Sequence, residues 1–389
     1  MLLINFIHYF SIASESKHTF YVELQSDEDF MRLKSQIHED INIVNLGLSI
    51  TSHTSKSVFG KLISLFRKLF MDRRYFKMIG ISAIVILGGD DLSEYYKGWK
   101  VASDLYRIKL YSNAIPVYLV GQTIGPFNSW RVKFAKKCFK KVKLYFRDEI
   151  SLNSYLQNIN TGYTMLGADL ALLELPVMIT GNELLESLNL EQNKFITIVP
   201  SGFSALYTNN RDNYIIVWKK ILSYLLEDES LKSYKLLLLP HVTWPEDDRV
   251  IIREILLDSG GNSERIIFEN KEYTPDVARY LIGNSNFVIS GRMHPAVSAF
   301  QQKKPSITMA YSLKFSGVAG EAFGMKDLVI DCGESSDWES LKVVSELKSK
   351  VAYLQQNYQQ ILSNINNNLG KQVQLAQNQI NDIADKINN

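Results

Sequence analysis

The 389-residue chain is 46% hydrophobic and 22% charged, which is enough apolar material for two globular cores and excludes disorder as its dominant state. Its 43 basic and 41 acidic side chains leave a formal charge of +2, so attraction to phosphates is local and whole-protein binding to nucleic acid is not indicated. Cys138 and Cys332 are the only cysteines, with no paired spacing, which argues against a disulfide framework or a zinc site and for a reducing compartment. No apolar run reaches the roughly 20 residues that span a bilayer, and 1–12 carry Asn5 and His8 with no basic leader. The expectation is a cytoplasmic chain, neither secreted nor membrane-spanning.

Leu2, Leu3, Phe6 and Ile7 stand at helical spacing, so the chain is expected to open in a helix, with a first strand absent from its sheet. Strands are predicted over 20–24, 41–45, 84–87, 117–120 and 144–146 and near 163–166, with helices over 30–37, 103–111 and 130–139. Phe59, Leu62, Ile63, Phe66, Leu69 and Phe70 line one helix face amid Lys61, Arg67, Lys68, Arg73 and Arg74. That face is expected either to meet a membrane surface or to pack on the first sheet. After Asp169, Pro176 and Gly181 break the rhythm, a helix over 183–188 follows, and a strand over 195–199 ends in Pro200 and Gly202. A domain boundary falls there, giving domains over 1–180 and 190–340. Further strands are predicted over 235–239, 266–268, 287–289, 306–309 and 328–330. A tail over 341–389 reads as helical, with Leu341, Val344, Leu347, Val351, Leu354 and Tyr358 at helical spacing. The fold class is α/β: two Rossmann-like doubly wound domains facing a cleft, with ligands beyond the carboxyl ends of the strands.

The conspicuous motifs each follow a predicted strand. Gly88-Gly89-Asp90-Asp91 allows close approach of a ligand or another backbone, or forms a tight strand-to-helix turn. Gly121-Gln122-Thr123-Ile124-Gly125-Pro126 offers glycines, an amide and a hydroxyl to phosphate or sugar oxygens, without the spacing of either nucleotide-binding fingerprint. Arg147 can fork onto a carboxylate or phosphate, while Asp148 suits a helix cap. Asp169 is either a ligand-facing carboxylate or a linker residue. In the second half, His241 stands just after the 235–239 strand. Ser290-Gly291-Arg292-Met293-His294-Pro295 combines a glycine, a cation and an imidazole where a helix begins, which reads either as an anion site with a proton donor or as a satisfied helix cap with Arg292 exposed to solvent. Lys314 follows Tyr311 beyond the next strand.

In this order and spacing, GGDD from Gly88, GQTIGPF from Gly121, RDEIS from Arg147, GADLALL from Gly167, SGRMHPAVSAF from Ser290 and the stretch from Pro305 to Lys314 with its Tyr-x-x-Lys ending resemble the polysaccharide pyruvyl transferase family. The resemblance covers about 81–330. It implies a GT-B-like fold with an acceptor-side first domain and a donor-side second domain. The reaction it implies is transfer of pyruvate from phosphoenolpyruvate, as a ketal, to a sugar of a cell-surface polysaccharide or its lipid-linked precursor. Family members usually begin with a strand and a polar loop, which this chain replaces by its opening helix.

By the resemblance, Arg147, Arg292 and His294 meet the donor. Phosphoenolpyruvate carries a carboxylate and a phosphate, which Arg147, Arg292, Lys314, Ser290, Gly291 and the helix start at His294 can serve. His294 is the first candidate for the acid, and Asp90, Asp91 or Asp169 for activating the acceptor. Gly89, Gln122, Thr123 and His241 line the remaining loops. No metal-ligand cluster and no cofactor beyond this co-substrate are expected, and the enzyme is expected at the inner face of the membrane. Two rival readings stand beside this one: a nucleotide-sugar glycosyltransferase, with Glu321 gripping the ribose, and a non-catalytic assembly subunit.

Overall fold

Short β-branched and aromatic runs alternate with amphipathic helices, and every strand pairing among the described residues is parallel. The structure, a computed structural model, describes residues 1–24, 26–46, 76, 78–93, 98–128, 130–244, 246–257 and 263–388. The basic and apolar face expected between Phe59 and Arg74 lies outside the described residues. Two compact units are present, Met1–Val177 with Val373–Asn389, and Met178–Gln372. The residues predicted as a tail are thus divided between them.

In the first unit, β1 (Thr19–Val22) and β2 (Asn42–Asn45) form a two-stranded sheet. The opening helix Leu2–Ala13 buries Ile4 and Ile7 against Val22, Leu33 and Ile37. Its Asn5 amide donates to the carbonyls of Leu170 and Leu173, at 2.8 and 3.1 Å. A four-stranded sheet has the order β3 (Ile84–Leu87), β4 (Val117–Gln122), β5 (Val142–Phe146), β6 (Tyr163–Leu166). Parallel neighbours need crossovers, and the helices Gly98–Ser112, Trp130–Cys138 and Glu149–Asn158 supply them.

Side chains alternate across these strands, so the sheet has two distinct faces. Val117, Leu119, Val142, Leu144 and Phe146 pack with Val101, Leu105, Ala135 and Tyr155 on one face. On the other, the buried Tyr118 and Tyr145 stack with ring centroids 6.5 Å apart. The Tyr145 hydroxyl donates to Asp382 Oδ2, 2.6 Å away on the helix Tyr358–Asn388. Burial first, then the hydrogen bond to Asp382 and its charge, holds this phenol far above its ordinary pKa, so it remains a donor.

The second unit has a six-stranded sheet of order β12-β11-β10-β7-β8-β9. Its strands are β7 (Phe195–Val199), β8 (Lys235–Leu238), β9 (Ile266–Phe268), β10 (Val288–Ser290), β11 (Ser306–Ala310) and β12 (Val329–Asp331). The chain winds outward from β7 through β8 to β9, then returns beside β7 and winds the other way. This doubly wound order reverses between β7 and β10, where such sheets bind ligands at their carboxyl ends. Apolar spacing places the helix Lys342–Gln356 against this unit, burying Val343, Leu347, Val351 and Leu354. Among the described residues no helix is long and apolar enough to cross a membrane.

Candidate functional site

In the first unit, four strand ends converge through backbone contacts that demand glycine. A Cβ on Gly88 would lie 1.9 Å from the Gly121 carbonyl oxygen, and Gly121 has φ of +64°. The Thr123 amide donates to the Gly89 carbonyl at 3.0 Å, which joins the loops after β3 and β4. Asp90 is buried and Asp91 exposed, while the Gln122 amide donates back to the Ile86 carbonyl at 3.3 Å.

Arg147 follows β5 and is held from two sides. Its Nε donates to Thr123 Oγ1 at 2.8 Å and its Nη1 to Asp169 Oδ2 at 3.2 Å, both charged side chains being 1% exposed. Its Nη2 is buried without a hydrogen-bond partner. Asp148 caps the next helix, accepting from the Ser151 amide at 2.7 Å. Burial raises its pKa, opposed by that amide and by Arg147. Asp169 also accepts from the Ala171 amide at 3.0 Å and starts a short helical turn. Gly89, Gln122, Thr123, Arg147 and Asp169 therefore share one carboxyl edge.

In the second unit, the loops after β7, β8 and β10 meet at the reversal point. The Gly291 amide donates to the Val199 carbonyl at 2.8 Å, and a Cβ there would press on Ser201 N and Val199 O at 3.3 Å. Ser290 Oγ accepts from the Arg292 amide at 3.1 Å and fixes the turn into the helix Met293–Gln301, where Arg292 stands at the cap position. The first amides of that helix and its dipole favour an anion beside Arg292 and His294.

Asp248, which is 0% exposed, organises these loops. Its Oδ1 accepts from Arg292 Nη2 at 2.5 Å and from the Gly202 amide at 2.6 Å. Its Oδ2 accepts from the amides of His241 and Val242 at 3.1 and 2.8 Å. The Arg292 guanidinium lies 4.7 Å over the Phe203 ring, and its Nε is buried with no hydrogen-bond partner. Asp248 stands in the run Glu246-Asp247-Asp248, where nothing in the sequence distinguishes it from an ordinary helix-start acid.

The imidazoles of His241 and His294 lie 6.4 Å apart. Burial, then His294 and Arg292, pushes His241 well below the ordinary imidazole range, so it is neutral at physiological pH. Lys314 Nζ donates to the Tyr311 hydroxyl at 2.6 Å, Tyr311 meets the Tyr207 ring at 5.1 Å, and the Tyr207 hydroxyl donates to the Gly291 carbonyl. Ser290, Gly291, Arg292, His294, His241 and Lys314 thus gather around one end of the second sheet. Glu321 is exposed and paired with Lys326 at 2.6 Å. Among the described residues no group of three or more His, Cys, Asp or Glu side chains is placed to hold a metal ion.

The sequence model of a family described as polysaccharide pyruvyl transferase matches residues 30–312. No curated protein sequence matches the chain. Among solved structures, the UDP-GlcNAc 2-epimerase from Neisseria meningitidis bound to UDP-GlcNAc is 14% identical with a TM-score of 0.58, covering 98% of this chain and 96% of that one. A structure described as trehalose-6-phosphate from E. coli bound with UDP-2-fluoro glucose is 10% identical with a TM-score of 0.59, covering 100% and 96%. A UDP-glucosyltransferase from Polygonum tinctorium is 11% identical with a TM-score of 0.56, covering 99% and 95%. These likenesses show the fold, α/β with parallel sheets of the GT-B type.

Two outcomes follow from the second site. Asp248→Asn leaves Arg292 without its counter-charge and turns an NH2 group, a donor, toward one of the two pairs of donors that the carboxylate oxygens accept from, and should lower stability by about 2–4 kcal/mol in urea unfolding. The lowered His241 pKa means that below about pH 6.5 the unfolded chain takes up a proton that the folded chain refuses. Wild type should therefore lose up to about 1.4 kcal/mol per pH unit on acidification that His241→Gln does not lose, read from unfolding midpoints at successive pH values.

Proposed function

As this chain belongs to the polysaccharide pyruvyl transferase family, we propose that it transfers pyruvate from phosphoenolpyruvate to a pair of hydroxyls on a cell-surface saccharide or its lipid-linked precursor. The observation that carries this reading is the placing of Arg292 and His294 on one segment, at the reversal of the doubly wound sheet and the start of a helix. A donor with two anionic groups needs more than one cationic or N–H-rich subsite. Arg292, the first amides of the helix Met293–Gln301 and Lys314 supply them in this unit.

In the reaction, His294 gives a proton to the terminal enol carbon of phosphoenolpyruvate, which becomes a methyl group and leaves an oxocarbenium-like centre at the neighbouring carbon. One sugar hydroxyl adds there and the second displaces phosphate. Of the two hydroxyl protons, one restores His294 and the other leaves with phosphate. Arg292, aimed by Asp248, offsets charge on the departing group. His241, neutral beside it, adds no competing positive charge. Asp169 is held in the first unit's own ion pair with Arg147, 1% exposed.

A nucleotide-sugar donor is the alternative suggested by the UDP-bound proteins of similar fold. No observation at Glu321 favours it, since that carboxylate is engaged by Lys326. Phosphoenolpyruvate should raise the melting temperature where UDP-GlcNAc does not, and the reverse would favour the alternative. Arg292→Lys keeps the charge and loses the planar fork. It should weaken donor binding by about 1–3 kcal/mol. His294→Ala should lower turnover by roughly two to four orders of magnitude with a smaller change in donor affinity. Near-wild-type turnover of His294→Ala would remove its role as the acid.

A further inference from the structure

The outer face of the helix Trp130–Cys138 and the turn Phe139–Lys141 carries a concentration of charge that the proposed chemistry does not use. Lys133, Lys136, Lys137, Lys140 and Lys141 are all exposed, and among the described residues none of them is in an ion pair. No acidic residue occurs in the sequence between Asp104 and Asp148. In the structure Asp104 is paired with Arg107 at 3.4 Å, and Asp148 is buried as a helix cap. A chain with a net charge of only +2 thus gathers five unneutralised lysines on one surface.

The same face carries aromatic surface. Trp130 is 49% exposed and its ring packs on Phe134 with centroids 5.9 Å apart. Helical spacing aligns Trp130, Lys133 and Lys137 along one side, while Ala135 and Cys138 turn inward to the core. Cations in the last turn of a helix are favoured by its carbonyl ends, which accounts for Lys136 and Lys137. It does not account for Lys133, for Lys140 and Lys141 beyond the helix, or for an exposed indole.

The position separates the Lys140–Lys141 end of this surface from the ligand loops of its sheet, while Trp130 opens the helix three residues beyond Phe127. Lys141 immediately precedes β5 and Arg147 immediately follows it, so the strand sets them apart by roughly 20 Å at about 3.3 Å per residue. The patch therefore runs toward the amino edge of the sheet, away from the edge at which Arg147 sits.

We propose that this face docks the protein on an anionic lipid surface, its lysines over the headgroups and the Trp130–Phe134 pair at the headgroup boundary. Lysine side chains are compact, strongly hydrated charges suited to a diffuse anionic plane, and an interfacial aromatic beside them supplies the apolar part of such contacts. A nucleic-acid partner fits less well, because the one arginine of this helix, Arg131, is stacked over the Trp130 ring with its Cζ 5.7 Å from the centroid, and the exposed charge is otherwise all lysine.

The test is sedimentation of the full chain with vesicles of phosphatidylcholine and phosphatidylglycerol in equal parts, against vesicles of phosphatidylcholine alone. Binding to the anionic vesicles is expected at low salt, with loss at about 0.5 M salt where the Debye length shrinks to a few ångströms. Lys133→Glu/Lys137→Glu should reduce partitioning about tenfold to a hundredfold, and the milder Lys136→Gln/Lys140→Gln about tenfold. Lys34→Glu, an exposed lysine elsewhere in the same unit, should change it less than twofold. Trp130→Ala should weaken binding while leaving its salt dependence in place. The proposal is overturned by absence of binding to anionic vesicles at low salt, by an equal effect of Lys34→Glu, or by tighter binding to duplex DNA or RNA than to the vesicles.

Discussion

A carboxylate with no solvent contact is tolerated only when its lone pairs are met, and Asp248 meets its own with one guanidinium and three backbone amides. Those four donors come from the loops after β7, β8 and β10. One buried charge therefore fixes the mutual position of three loops that sequence separates by almost a hundred residues. It also sets the direction of Arg292, whose own capacity is only partly used by the contact. Placement at the first position of the helix Asp248–Leu256 adds the favourable N-terminal end of a helix dipole to the same carboxylate. Remove this interaction and the remaining features of the site, the glycine turn at Gly291 and the helix start at His294, lose their common reference.

The first unit solves a related problem with different residues. Arg147 is buried between Thr123 and Asp169, and the strand ends around it approach so closely that Gly88 has no room for a side chain. In both units an arginine lies at the carboxyl edge of a parallel sheet, tied to a carboxylate that keeps its charge compatible with burial. The two differ in what is left over. Arg292 is 12% exposed beside a helix N-terminus and a histidine, whereas Arg147 is almost wholly enclosed.

Much of the fold was legible because parallel strands buried on both faces read as continuous β-branched runs. The segments around Val117, Phe195 and Ser306 announced themselves in this way, and the half-buried Ile84–Leu87 run reads the same. Boundaries moved by a residue where the last strand residue is polar, as at Ser290, or where a short turn precedes the strand, as at Leu328. The glycine-rich and Arg-His motifs were visible because each carries an unusual residue combination directly after a strand. Asp248 was not, since its significance lies in three amides and an arginine brought to it from distant loops. Tyr207, which ties the β10 and β11 loops together through Gly291 and Met309, was hidden for the same reason. The division of the last helices between two units was equally hidden, because helical spacing shows which face is apolar and not what it covers.

Family membership rests on residues 30–312, while the proposed chemistry rests on proton transfer to the enol carbon of phosphoenolpyruvate. The most direct measurement is mass spectrometry of the product after incubation in deuterium oxide with phosphoenolpyruvate and lipid-linked or nucleotide-linked sugars. The account predicts an acceptor heavier by one pyruvyl group whose new methyl carries a single solvent-derived deuteron, with phosphate released in equal amount. Transfer of a sugar from a nucleotide donor, with phosphoenolpyruvate left unconsumed, would contradict it.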